Sequence, residues 1–313
     1  TVSRYFNGGS IKEETRKKIQ NVVKENNYIP NSFARLKAKE SNTVGVIVPT
    51  LNSKVTSRVV TSVGRYLRSQ GYEALIKDSD HSPKLELENI NRLFTQKVDG
   101  ILFSAISLTE EHKQLLMNSP VPVVVLAQNF EEGITVTMDD YTAGKTMGSF
   151  MGSRVRGKIA YLGVEEEDEA VGIFRRQGVL EGIKESGSQV MTVETGDYSY
   201  VSGQEMMEKV LEKGIPDGVI CATDRLAFGA YRILQKHGIL IPEQVSVAGF
   251  GGYDESELLS PQLTTLRFDS YGLGYLGAET LLKMIREEPV PKKQIVGFEM
   301  ILGKSVRNEN TVK

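Results

Sequence analysis

Two periodicities alternate along most of this chain. Short apolar runs, several of them rich in Val and Ile, occur at residues 44–48, 73–77, 100–104 and 121–126. They recur at 158–162, 189–193, 218–222, 245–249 and 263–268. Such runs read as strands. Between them lie segments whose apolar residues return every three to four positions, predicting helices at 56–70, 83–96, 109–118, 170–186, 203–213 and 225–237. Pro83 suits a first helical turn, and Gly71 ends the helix before it. Strands separated by helices imply parallel sheets covered by helices on both faces. Two such series imply two similar lobes. Ligands in these folds lie outside the carboxyl ends of the strands, so the cleft between the lobes is the natural pocket.

The first forty residues follow another pattern. Ile19, Val22 and Val23 share one face of a helix predicted over 14–26, with lysines opposite. Pro30 holds Ile29 extended and ends that element. Residues 31–37 suit two short turns with Asn31 as N-cap, and a polar linker follows at 39–42.

Composition adds three constraints. A length of 313 residues fits two to three domains of ~100–150 residues. No apolar run reaches the ~18 residues of a membrane span, and no basic start leads into an apolar export segment. The single cysteine, Cys221, excludes an internal disulfide, fits a reducing cytoplasm and sits in an apolar strand as a core residue. The net charge of −2 conceals an asymmetry. Residues 1–41 carry nine Lys/Arg against four Glu, a net +5, which leaves −7 for the remainder. A basic head on an acidic body suits phosphate attraction by the head alone.

Two strings sharpen this. Thr1-Val2-Ser3-Arg4 runs into Tyr5-Phe6-Asn7, and Tyr28-Ile29-Pro30-Asn31 leads to Ala34-Arg35. Ser3, Arg4 and Asn7 fall on one helical turn, where Arg can fork onto guanine or phosphate and Asn onto adenine or phosphate. With the intervening helix, these strings resemble the LacI/GalR family of bacterial repressors, and the resemblance extends over essentially the whole chain. It implies a DNA-facing set of Thr1, Ser3, Arg4, Asn7, Tyr28, Asn31, Ala34, Arg35, Leu36 and Lys37. The family places a leucine wedge in the minor groove at the position of Lys37, with Leu36 one residue before it, so either can serve here. The implied fold is a pair of doubly wound parallel-sheet α/β lobes, periplasmic-binding-protein-like. A helix-turn-helix head and hinge helix precede them. The head (1–29) is expected to begin inside its recognition helix, truncated. The hinge is expected at 30–41, one lobe at 42–140 plus 269–296, and the other at 141–268 plus 297–313.

The same resemblance nominates an effector site. Arg175 stands in Arg175-Arg176-Gln177-Gly178, Tyr198 in Gly196-Asp197-Tyr198-Ser199, and Asp224 follows the strand containing Cys221. Ser104 ends the third strand. Lys54 and Arg58 are expected in the first strand–helix loop at the pocket mouth, more often solvated than not. Asp224 is an equal candidate for the N-cap of the helix after it. Gly251-Gly252 replaces an acidic pair common in the family, leaving Tyr253 and Phe268 to shape the site, and Ala127-Gln128 replaces a common Asp-Arg. The Gly-Phe-Gly-Gly-Tyr string is similar to that of family members governing sucrose or trehalose use.

No catalytic set is visible, so no enzyme is expected. His81, His112 and His237 show no metal-ligand spacing. The acidic run 165–169 reads as a solvated loop, and no cofactor is expected. The expected function is sugar-responsive repression of a carbohydrate-utilisation operon by a cytoplasmic homodimer. Dimer is preferred to tetramer because no heptad tail follows. Its partners would be pseudo-palindromic operator DNA and a small sugar or phosphosugar. The alternative is a solute-binding protein for sugar uptake.

Overall fold

The computed structural model describes residues 10–25 and 41–307. The ten DNA-facing positions named above, and the hinge before Ser41, lie outside them. Helix α1 (Glu13–Glu25) occupies the stretch expected from the Ile19, Val22, Val23 face. An exposed Lys18–Glu14 pair supports it one turn apart.

The first lobe follows as β1 (Thr43–Val48), α2 (Lys54–Ser69), β2 (Glu73–Asp78), α3 (Pro83–Thr95), β3 (Gly100–Ser104), α4 (Glu110–Met117), β4 (Val123–Leu126) and β5 (Ile134–Met138). The second comprises α5 (Asp140–Val155), β6 (Lys158–Val164), a π-helical turn (Glu169–Arg175), α6 (Arg176–Glu185), β7 (Gln189–Gly196), α7 (Tyr200–Lys213), β8 (Gly218–Cys221), α8 (Asp224–Lys236), β9 (Ser246–Phe250), a short 3₁₀ turn (Asp254–Leu258) and β10 (Thr264–Phe268). The chain then returns to the first lobe through α9 (Ser270–Ile285) and β11 (Lys293–Val296), and ends in the second with β12 (Phe298–Ile301). The described residues form two six-stranded sheets, ordered β2-β1-β3-β4-β5-β11 and β7-β6-β8-β9-β10-β12. The paired strands run parallel except β12, which pairs antiparallel with β10. The expected pair of parallel-sheet α/β lobes is thus observed.

Burial follows the period-2 geometry of the strands. In the first lobe Val44, Val46 and Val48 of β1 pack with Val63 and Leu67 of α2 and Leu281 of α9 on one face. Ile47 points to the other face, with Ile90 and Leu93 of α3, Phe103 of β3 and Leu116 of α4. Both faces are dry, so the strand reads as a continuous apolar run rather than an alternation. The second lobe closes over a core that includes Tyr161, Met147, Met151, Ile220 and Phe250.

Residues 140–155 had no predicted helix, yet α5 opens the second lobe there. Its sequence carries Gly144, Gly148 and Gly152, which lower intrinsic helicity by about 1 kcal/mol each relative to Ala. Tertiary contact overrides that preference. A Cβ on Gly144 would lie 2.3 Å from the Arg175 carbonyl oxygen, and one on Gly148 2.3 Å from that of Val179. From the facing helix, a Cβ on Gly178 would meet the Tyr141 carbonyl at 2.1 Å. The glycines let α5 and α6 touch backbone to backbone. The single helix expected over 170–186 is instead a π-helical turn followed by α6, and Arg175 ends the wider turn. Lys54 and Arg58, expected in a loop, belong to the first turns of α2, which Ser53 caps.

Candidate functional site

A cleft of about 600 Å³ separates the lobes, and its lining comes from the carboxyl ends of the strands. Ser53, Asp168, Ser199 and Thr223 line it while capping the helix or turn that begins beside each. Capping therefore aims several helix N-termini at the opening, where donors and partial positive charge favour oxygen-rich ligands.

Arg175 lines the cleft at 6% exposure. Its Nε donates to Asp140 Oδ1 at 2.8 Å, its Nη2 to the same oxygen, and its Nη1 to the Ala222 carbonyl at 2.7 Å. The guanidinium carbon lies 5.0 Å from the Phe250 ring centre and 5.1 Å from that of Phe268. Five N–H groups are available and three are used, so two can still reach a ligand. Burial pushes the Asp140 carboxyl above its usual range, and the guanidinium opposes that shift.

Tyr198 and Asp168 form the next group. The Tyr198 hydroxyl donates to Asp168 Oδ2 at 2.5 Å, and burial raises the phenol well above its ordinary value. Gln128 reaches Asp168 Oδ1 from the other lobe at 3.1 Å, anchored by a 2.6 Å bond to the Ile106 carbonyl. His81 of the first lobe stacks on Tyr198, with centroids 5.8 Å apart at 18°. The acidic run is therefore not uniformly solvated. Glu165, Glu166 and Glu167 are exposed, whereas Asp168 is half-buried and shared between lobes. Sequence spacing gave no signal for His81 or Gln128, because their partners, Tyr198 and Asp168, lie in the other lobe.

Asp224 departs from its expected place. It is fully buried and is not among the residues lining the cleft. Oδ1 accepts from Thr265 Oγ1 at 2.6 Å, while Oδ2 accepts from Tyr253 N at 2.8 Å and Ser256 Oγ at 3.0 Å. Burial raises its pKa, and these donors oppose the shift. It does not cap α8 either: Thr223 does, accepting from Leu226 N. Asp224 fixes the loop that carries Tyr253, which does line the cleft together with Ser104 and Phe268.

Lys54 and Arg58 are also absent from the cleft lining, and they tie the lobes together. Arg58 donates to the carbonyls of Gly251 at 3.0 Å and Gly252 at 2.7 Å and pairs with Asp254 at 3.3 Å; its side chain is only 11% exposed. The expectation of a solvated side chain fails because both guanidinium nitrogens have backbone partners across the interface. Gly251 and Gly252 sit at φ +135° and +57°, a conformation that suits glycine and turns successive carbonyls toward Arg58. Lys54 pairs with Glu255 at 3.1 Å, half exposed. Arg225 adds bonds to Asn52 O and Oδ1 at 3.2 and 3.1 Å.

The charge balance of the lining is acidic. Asp80, Asp140, Glu165, Glu167, Asp168 and Asp197 face two guanidiniums, Arg175 and Arg225. Among the described residues no group of three His, Cys, Asp or Glu side chains could hold a metal ion. No described helix is long and apolar enough to cross a membrane.

Comparison with known proteins agrees with this architecture. Residues 154–306 match the periplasmic binding protein-like domain, and residues 1–31 match the bacterial regulatory proteins of the lacI family. The chain is 31% identical over 306 residues to catabolite control protein A of Staphylococcus epidermidis, covering 95% of this chain and 91% of that protein. It is 29% identical over 304 residues to the sucrose operon repressor of Staphylococcus xylosus, covering 96% and 93%. Among solved structures, the transcriptional regulator CelR–cellobiose complex aligns with a TM-score of 0.77 at 25% identity, over 97% of this chain and 95% of that one. The lac repressor dimer bound to operator and the anti-inducer ONPF shares the fold, with a TM-score of 0.87 at 23% identity over 97% and 94%.

Proposed function

The chain belongs to the lacI family of bacterial regulatory proteins, and on that footing we propose that it is a cytoplasmic, homodimeric, sugar-responsive repressor of a carbohydrate-utilisation operon. One observation carries the reading: a single chain joins a lacI-type head to a two-lobed body with a cleft between the lobes into which carboxylates and guanidiniums are set. The head match and the net +5 of residues 1–41 favour DNA binding over solute uptake. Operator and effector prefer different arrangements of the dimer, so each changes the affinity of the other by the same factor. A pseudo-palindromic operator follows from two-fold symmetry.

The effector is a neutral saccharide. Hydroxyl pairs suit Arg175 and the carboxylates of the lining, and an apolar sugar face suits the Tyr198 and Phe268 rings. A phosphate would enter a cleft where six carboxylates face two guanidiniums, one already bound to Asp140. Calorimetry with sucrose, trehalose and cellobiose beside their phosphorylated forms tests this. The neutral sugar is expected to bind at least as tightly as its phosphate. A phosphosugar binding 100-fold tighter than its parent overturns the assignment. Binding of selected genomic DNA should weaken steeply with salt and respond to the same sugar.

A further inference from the structure

A second cavity, of about 590 Å³, opens at the hinge where the chain crosses between the lobes. The first lobe contributes Arg58 of α2 and Tyr271 of α9, and the second contributes Arg267 of β10 with Phe298 and Glu299 of β12. Its volume falls in the range of small-molecule sites, ~300–1,000 Å³. Both cations are already engaged. Arg58 is held by the Gly251 and Gly252 carbonyls, and Arg267 places Nε and Nη2 on Glu299 Oε1 at 2.9 and 2.6 Å. Asp269 uses Oδ1 to cap α9 through Gly272 N at 2.7 Å. The second oxygens of Asp269 and Glu299 remain as acceptors. Tyr271 is half exposed, and the Phe298 ring packs edge-on against Phe268 at 6.1 Å. The opening is therefore rich in acceptors, walled by aromatic rings and without an uncommitted cation.

We propose that this hinge groove is a second small-molecule site, separate from the cleft, for a neutral polyhydroxylated ligand of saccharide size. Hydroxyl donors meet the free carboxylate oxygens, and the C–H face of the ligand lies on Tyr271 and Phe298. An anion is disfavoured because three acids, Asp254, Asp269 and Glu299, line the groove against two paired guanidiniums. The groove also communicates with the cleft. Phe268 lines both cavities, and Arg58, a wall of the groove, holds the Gly251 that lines the cleft. Because its walls come from both lobes, a ligand that fits here stabilises the closed arrangement. Linkage then requires it to raise affinity at the cleft by the factor that the cleft ligand raises its own.

Gly297 offers a clean test. It lines the groove, lies outside the left-handed region, and a Cβ there meets nothing within 4 Å. Gly297→Trp should fill the groove without disturbing the backbone, and Ser104→Trp plugs the cleft independently. Glucose, sucrose, trehalose and spermidine are titrated into the chain and both variants by calorimetry and saturation-transfer NMR, with melting temperatures to establish that each variant folds. The expected result is that at least one saccharide occupies two sites in the unaltered chain and one in each variant. Tyr271→Ala should weaken the groove site about three- to tenfold and leave the cleft site within twofold. Saccharide binding unchanged in Gly297→Trp overturns the groove site while leaving the cleft reading intact. Loss in Gly297→Trp with no loss in Ser104→Trp supports the groove and removes the cleft reading. Spermidine bound at the groove with no saccharide there overturns the ligand class.

Discussion

The two lobes share a strand order but contribute to the cleft in different ways. The second lobe brings most of the charge, and much of that is settled within the lobe itself. Arg175 rests on Asp140 and the Ala222 carbonyl, Tyr198 on Asp168, and Asp224 on three donors of its own lobe. The first lobe brings arms that reach partners across the gap: Arg58, Lys54 and His81, with Gln128, which is also anchored on the Ile106 carbonyl of its own lobe. One half is thus a pre-organised platform and the other a set of closing contacts. Internal partners need no particular arrangement of the lobes, whereas cross-lobe partners favour the closed arrangement in which they meet. Substitutions in the first class should act on stability, and those in the second on the open–closed equilibrium.

The largest effect should follow from breaking the platform. Arg175→Ala leaves Asp140 buried at 6% exposure without its counter-charge. Removing one member of a buried pair costs about 3–5 kcal/mol, more than the 1.5–3 kcal/mol of one charged hydrogen bond to a ligand. Urea unfolding should therefore show a large loss of stability beside any loss of sugar affinity. Combining it with Asp140→Asn should recover part of that stability without restoring affinity. Stability within about 0.5 kcal/mol of the parent in Arg175→Ala would contradict the platform argument.

A smaller effect is expected for the principal closing contact. Arg58→Ala removes two charge-assisted bonds to the Gly251 and Gly252 carbonyls. At about 1–2 kcal/mol of closure lost, sugar affinity should fall roughly five- to thirtyfold. Small-angle scattering should show a more open chain without ligand. Arg58→Lys should recover only part of this, since an ammonium lacks the planar fork that spans two carbonyls. If affinity and scattering both match the unaltered protein, the contact does not govern closure.

The split also explains what the sequence revealed. Strand–helix alternation was legible because both sheets are covered on two faces, which makes each inner strand a plain apolar run. Arg175, Tyr198, Ser104, Tyr253 and Phe268 were legible as cleft positions by resemblance, each lying at the carboxyl end of a strand or in the segment just after it. Asp224 stands in the right string but turns inward, because Thr265, Ser256 and the Tyr253 amide offer it three donors there. Helix α5 was hidden because Gly144 and Gly148 answer to a neighbouring backbone, and Gly152 to the Ser186 side chain, rather than to local propensity. Gln128 and His81 were hidden for a related reason. Their meaning lies in partners 40 and 117 positions away, Asp168 and Tyr198, and no local periodicity encodes a contact across a hinge.

The smallest effect concerns the ion pair at the rim. Glu255 is held below its usual value of 4.5, first by a backbone hydrogen bond and then by Lys54. A depressed carboxylate stabilises the state that depresses it at pH above the unperturbed value, and that stabilisation disappears as pH falls through the lowered pKa. The Lys54 contribution belongs to the closed state alone, so closure should be insensitive to pH between 7 and about 5 and weaken below about 4.5. Lys54 and Glu255 are each nearly half exposed, so solvent and salt screen the pair and the expected change in the closed population is twofold or less. Lobe-to-lobe energy transfer between dyes on the outer faces of α3 and α7 would follow it, at an ionic strength low enough to keep the pair visible. Lys54→Met should remove the part of the acid response that belongs to this pair. Opening that begins between pH 7 and 5 would place the response on a different group, as would an acid limb unchanged in Lys54→Met.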